Sequence, residues 1–159
     1  MAINPNTDFS SGAILTAAQQ NRFPRGVMAL ATSSTNYTLT TSIAIATGMS
    51  VTFTAVANRN YKITYVEPQV GTPGVSGGFT GLTIRLTSAA GSGLALGILQ
   101  TNSATAYSAS VVVQYVYSGA AGSTTIVGCA NASSVTGTPV LGRSATGLAS
   151  LLVEDIGPA

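Results

Sequence analysis

Four carboxylates (Asp8, Glu67, Glu154 and Asp155), Lys62, six tyrosines and one cysteine are the groups with which this chain could do acid, base or nucleophilic chemistry, and it has no histidine. General acid and base catalysis needs two titratable groups held in register with a substrate. Glu154 and Asp155 are adjacent, so in a strand their side chains point to opposite faces and make no dyad. A solvated or interface pair is the expectation for them. Serines are plentiful, yet none stands in a Gly-x-Ser-x-Gly elbow, and no histidine is there to activate one. Gly91-Ser92-Gly93 followed by Gly97 misses the dinucleotide fingerprint in its spacing. No loop carries more than one carboxylate, too few for a calcium cage, and zinc finds no ligand set. Cys129, alone in the strand-like run Thr124 to Ala130, reads as a small buried residue and not as a nucleophile. The expectation is a protein with no enzyme activity, no metal and no cofactor.

Composition says what the chain is built for instead. Of 159 residues 45% are hydrophobic and only 6% charged, against about a quarter charged in ordinary soluble domains. Polarity comes from 22 Thr and 18 Ser, set among 23 Ala and 18 Gly. A surface of short neutral side chains resists self-association poorly, because dispersed charge is what keeps small domains apart. A homo-oligomer or a place in a larger assembly follows. The net charge of +2 rests on scattered residues, with Arg22 and Arg25 a close basic pair. Two arginines release too few counterions to hold nucleic acid. Leu86 to Gly142 contains no Asp, Glu, Lys or Arg, but Ser, Thr, Gly and Asn interrupt every apolar run, so membrane insertion is not expected. Met1 to Pro5 lacks the basic and apolar regions of a signal peptide.

The elements that position these residues change character near residue 25. Residues 1–25 read as an arm: turn-rich at Asn4 to Asp8, then helical at Thr16-Ala17-Ala18-Gln19-Gln20-Asn21, with Thr16 and Gln19 spaced as a capping box and Pro24 ending the segment. So short a helix must dock on something to persist. From residue 26 to 159 the period is two. Met49, Val51, Phe53 and Ala55 share one face of a strand and Tyr61, Ile63 and Tyr65 one face of the next, the two joined through Asn58-Arg59-Asn60. GTPGVSGG at 71–78 is a loop. Leu82, Ile84 and Leu86 alternate with Thr83, Arg85 and Thr87, and Leu94, Leu96 and Ile98 continue the alternation. Tyr107 to Tyr117 reads as the longest strand, apolar on both faces at its centre and so central or at an interface. Roughly eight to ten short strands with Gly-rich turns predict an all-β sandwich of jelly-roll type behind an arm with one short helix.

From these readings come three sets of candidate residues. Ile14, Leu15, Thr16, Gln19, Phe23 and Arg25 are the docking residues of the arm. Tyr107, Val112, Tyr115 and Val116 are the contact between copies. Gln69, Thr72, Ser76 and Ser118 lie in loops that would face a ligand. An alternative function, a free carbohydrate-binding module, has the sandwich and six tyrosines in its favour. Against it, four of the tyrosines keep register with apolar faces, and tryptophan is absent.

Three stretches carry a resemblance. Ser11-Gly12-Ala13-Ile14-Leu15-Thr16-Ala17-Ala18-Gln19-Gln20-Asn21 leading to Phe23-Pro24-Arg25-Gly26-Val27 resembles the N-terminal arm of small structural proteins of tailed bacteriophages. Met49 to Ile63, written MSVTFTAVANRNYKI, is similar to a hairpin of the same proteins, and Leu151 to Pro158, LLVEDIGP, to their closing strand. Together they cover about a third of the chain; the loop 69–78 and the segment 130–147 depart from the pattern. The resemblance implies a virion protein whose jelly-roll domain is laid out like the trimeric tumour-necrosis-factor and C1q heads. It further implies anchoring by the arm to other phage structural proteins, and a place on the particle surface as tail fibre, tail tip (minor tail) or capsid decoration. Host-surface glycans are the external partner such a head would meet.

Overall fold

The computed structural model describes residues 12, 14, 16–20 and 23–159. One helical turn, α1 (Ala17–Gln20), follows Thr16, whose carbonyl accepts from the Gln20 amide at 3.0 Å. Ten strands come after it: β1 (Gly26–Ser33), β2 (Tyr37–Thr38), β3 (Ala44–Ala55), β4 (Arg59–Gly71), β5 (Phe79–Leu86), β6 (Gly93–Gln100), β7 (Ser108–Tyr117), β8 (Gly122–Ala132), β9 (Val140–Gly142) and β10 (Ala149–Pro158). Two antiparallel sheets face each other. One runs β1-β10-β4-β7, with the short β9 taking the place of β10 along the far part of β4 and β2 pairing β9; the other runs β3-β8-β5-β6. Apart from β2 and β9, the first strand pairs the last, the second the second-last, the third the third-last, and the middle two each other. That is a long hairpin rolled up on itself, the jelly roll the sequence predicts.

Alternation explains which residues meet between the sheets. Met49, Val51, Phe53 and Ala55 of β3 and Tyr61, Ile63 and Tyr65 of β4 are all buried, with Leu82, Ile84, Ile126, Leu151 and Val153 among them. Each such aliphatic side chain contributes about 1.5–3 kcal/mol on leaving water. Gly128 sits in this core because a Cβ there would lie 3.0 Å from the Tyr65 ring.

Four local expectations change. The β3 and β4 segments are not a hairpin: they belong to different sheets, and Asn58, at φ 59°, turns the chain across the core. Their side chains therefore meet face to face, with the Phe53 and Tyr61 rings 4.9 Å apart, and the Tyr61 hydroxyl accepts the Val56 amide at 2.7 Å. The longest strand is β4, at 13 residues, which continues past Tyr65 through a register shift between Glu67 and Val70. β7 is not central, since it pairs only β4 and forms the edge of its sheet beside β6. In β6 Leu96 and Ile98 face outward, while Ala95, Gly97 and Leu99 turn inward and Leu94, unpaired where the register shifts, packs against the core; at Gly97 a Cβ would come 2.7 Å from the Val113 side chain.

Because consecutive major strands reverse direction, loops alternate between the two ends of the sandwich. Segments 34–43, 72–78, 101–107 and 133–148 gather at one end, which we call the loop end. Turns 56–58, 87–92 and 118–121 lie at the other, together with the entry of the chain into β1 and its exit from β10: the arm end. At the loop end backbone bonds stitch the segments together, as in Thr72 N to Tyr107 O, Gly74 N to Thr136 O and Leu39 N to Pro139 O.

Candidate assembly surface

Few charges means that each one's position is informative, and four of them are inside. Arg59, at the start of β4, donates from Nε and Nη2 to the two carboxylate oxygens of Asp155 at 2.6 and 2.7 Å, both residues buried. Nη2 also donates to the Phe23 carbonyl at 2.6 Å, fixing the last residues of the arm. Arg143, just after β9, donates from Nε and Nη2 to Glu67 at 3.0 and 2.5 Å, and from Nη1 to the carbonyls of Thr47 and Thr35. The Tyr65 hydroxyl donates to the same carboxylate. Burial, then the adjacent Glu67 charge and hydrogen bond, hold the Tyr65 pKa well above its usual value. Forked arginine contacts of this kind are the strongest pairing geometry available to a carboxylate. Asp155 is thus neither solvated nor at an interface. Facing away from its neighbour, it is a buried staple, while Glu154 stands on the outer face opposite Lys62.

With those charges withdrawn, the outer face of the β1-β10-β4-β7 sheet is mostly apolar and hydroxyl. Three rows cross it in register: Leu30, Leu152, Thr64 and Gln114; Thr32, Ser150, Val66 and Val112; Val27, Glu154, Lys62 and Val116. Val27, Leu30, Val112 and Val116 are each more than half exposed. The one acid and one base in these rows are direct cross-strand partners, so the face carries no net charge.

Of the residues expected at a contact between copies, Val112 and Val116 project from this face. Tyr115 does not: it points inward and packs on the core, as period two requires of a residue between two outward neighbours. Tyr107 precedes β7 at the loop end, half exposed, its hydroxyl donating to the Gln100 carbonyl at 2.7 Å. Val27, Leu30, Val66 and Leu152 were missed, because which strands lie side by side is not a local property of any of them.

In the arm, Ile14 is 93% exposed and Phe23 and Arg25 are also exposed. Thr16 lies where a helix-starting residue should, Leu15 falls outside the described residues, and so does the Gln19 side chain. The four loop candidates do not make one site. Gln69 belongs to β4 and donates to the Ser108 hydroxyl; Thr72 is buried, bonded to the Tyr107 carbonyl; Ser76 is exposed at the loop end. Ser118 is exposed at the opposite end, after β7. Among the tyrosines only Tyr107 is exposed. Cys129 is fully buried, and burial pushes its thiol pKa up.

No protein-family model matches the chain, and no curated protein matches it. Among solved structures, the chain is similar to part of an arabinose-bound α-L-arabinofuranosidase, at 14% identity and a TM-score of 0.32, covering 95% of this chain and 26% of that one. It is also similar to part of a protein of infectious bursal disease virus, Gx strain, at 17% identity and a TM-score of 0.24, covering 86% and 41%. A third likeness is to the VP2 subviral particle of the same virus, at 14% identity and a TM-score of 0.23, covering 85% and 43%. The chain spans between about a quarter and two-fifths of the length of these proteins. The chain's own strand order defines its fold.

Proposed function

We propose that this protein is a non-enzymatic structural component of a bacteriophage particle. Its arm docks on other structural proteins, and its jelly-roll domains associate with one another, as trimers, to form a head displayed on the virion surface as a tail-fibre, tail-tip or capsid-decoration protein. The observation that carries the reading is the exposed, net-neutral outer face of the β1-β10-β4-β7 sheet, with Val27, Leu30, Val112 and Val116 standing out from it. A stable contact takes about 800 Å² from each partner, roughly a tenth of the 8071 Å² that this chain exposes. The three stretches resembling phage structural proteins supply the particle, the trimer and the role of the arm. Multivalent display through such a head gives avidity without any one strong site.

Light scattering of the purified chain should give three times the monomer mass. Leu30→Asp and Val112→Asp, each placing a charge on the exposed face, should dissociate it with little change in the unfolding temperature. Deleting residues 1–24 should leave a folded oligomer that no longer joins particles. High copy number in purified particles favours capsid decoration, and low copy number the tail. A monomer absent from particles overturns the proposal.

A further inference from the structure

Charge is distributed unevenly across the β1-β10-β4-β7 sheet. Arg59, Lys62, Glu67, Glu154 and Asp155 all belong to the two central strands, while the edge strands β1, GVMALATS, and β7, SASVVVQYVY, hold no charged residue and no proline. Natural sheets guard their edges with such residues, because an edge strand presents a row of unpaired backbone N–H and C=O groups to any other strand. Here a bulge between Val27 and Ala29 interrupts β1 near the arm end, and residues 29–33 run on regularly beside β10. β7 is paired on one side only, by β4, over its whole length.

Apolar exposure follows the same division. Every large apolar side chain of this sheet that is more than half exposed stands on an edge strand: Val27 and Leu30 on β1, Val112 and Val116 on β7. Inward-facing residues agree, since Ala31 and Tyr115 on the edges are only partly buried, while Ile63 and Leu151 on the strands between are wholly so. The sheet is less covered at its two sides than in its middle.

Direction decides how two such edges can meet. β1 is antiparallel to β10, β10 to β4 and β4 to β7, so β1 and β7 run in opposite senses. A second copy turned about an axis along the strands keeps its strand directions, and its β7 then lies antiparallel to β1 of the first, the more stable kind of ladder. A contact between two different edges of one subunit repeats from copy to copy and closes into a ring where the rotation allows. The row holding Leu30 lies between the rows holding Val112 and Val116. With the rows kept level, Leu30 of one copy enters between the two valines of the next.

We propose that copies join edge to edge, β1 of one continuing the sheet onto β7 of the next as an antiparallel ladder. This rests on the reading that copies associate, and deepens it by naming the two strands that meet. Orientation follows as a consequence: with the axis along the strands, every arm leaves at one end of the assembly and every loop end faces the other.

The test is cross-linking of the full chain, beside light scattering, with a bismaleimide shorter than about 14 Å, the three strand spacings that separate β1 from β7 within one copy. Leu30→Cys and Val112→Cys are at exposed positions, and the native Cys129 is fully buried. Carried together in one chain, the two substitutions should give covalent dimers and trimers on a denaturing gel; carried singly, neither should. Cross-linking of Val112→Cys alone means that two copies of β7 meet, and overturns the proposal. Absence of cross-links in a doubly substituted chain that still associates also overturns it, and leaves the assembly reading standing. A monomer in light scattering overturns both.

Discussion

Each end of the sandwich is closed by an arginine forked on a carboxylate, and the two forks hold different things. At the arm end, Arg59 joins the start of β4 to the end of β10 and reaches the Phe23 carbonyl, so its third contact is with the segment that leaves the domain. At the loop end, Arg143 joins β4 to the segment after β9, and its remaining donors go to Thr35 and Thr47, while its own amide donates to the Asn36 side chain. Both clasps sit on β4, the strand shared by most of the first sheet. One device thus serves as a tether for the arm and as a keystone for the loops. Of the six bases and four acids in the chain, two of each are spent inside the domain, where they fix geometry.

The comparison breaks most visibly on one-sided removal. Arg143→Met leaves Glu67 buried without its partner and should destabilise the domain by about 3–5 kcal/mol in urea or thermal unfolding. Arg59→Met should cost somewhat less, about 3 kcal/mol, because the Arg59 side chain is 5% exposed where that of Arg143 is 0%. It should also make the chain near Phe23 more open to protease, which Arg143→Met should not. Equal cleavage in the two variants would erase the distinction between tether and keystone.

Tyrosine hydroxyls sharpen it at smaller scale. Tyr65→Phe removes one donor to Glu67 but leaves the arginine fork, a loss of about 1 kcal/mol. Burial and the Glu67 charge raise the Tyr65 pKa above its usual 10.0, so folding favours the protonated phenol. Its contribution is complete below pH 10 and is lost as pH rises through the higher folded value. Unfolding followed between pH 9 and 12 should show less alkaline loss in Tyr65→Phe than in the parent chain. Away from both ends, Thr52→Val removes an exposed hydroxyl pair with Thr125 and should change stability by less than about 0.5 kcal/mol.

Legibility in the sequence follows range. The inward faces of β3 and β4, the loop after β4 and the closing strand all follow from neighbours within a few residues, and the alternation of apolar and hydroxyl side chains states them openly. The clasps could not be read that way: Arg59 meets Asp155 across 96 positions and Arg143 meets Glu67 across 76. With few charges in the chain, a strand acid flanked by apolar neighbours, as in LLVEDIGP, was the available signal that one of the pair turns inward. In β6 the alternation was clear and the choice of face was not, since it depends on Val113 closing over Gly97. Of the outer face proposed as the contact, only Val112 and Val116 were legible, because its other members come from strands brought together by the roll of the fold.

Both chain ends leave the same end of the sandwich, and β1 lies at the edge of its sheet, bonded to β10 alone. Tension on the arm would peel such a strand one hydrogen bond at a time, at low force. The Phe23 carbonyl, held by Arg59 ahead of the first pair of β1, lets the pull pass to β4 and β10 before the ladder begins to open. If the arm carries the domain on a particle as proposed, its outermost strand is kept through shear and collision because the knot is tied inside.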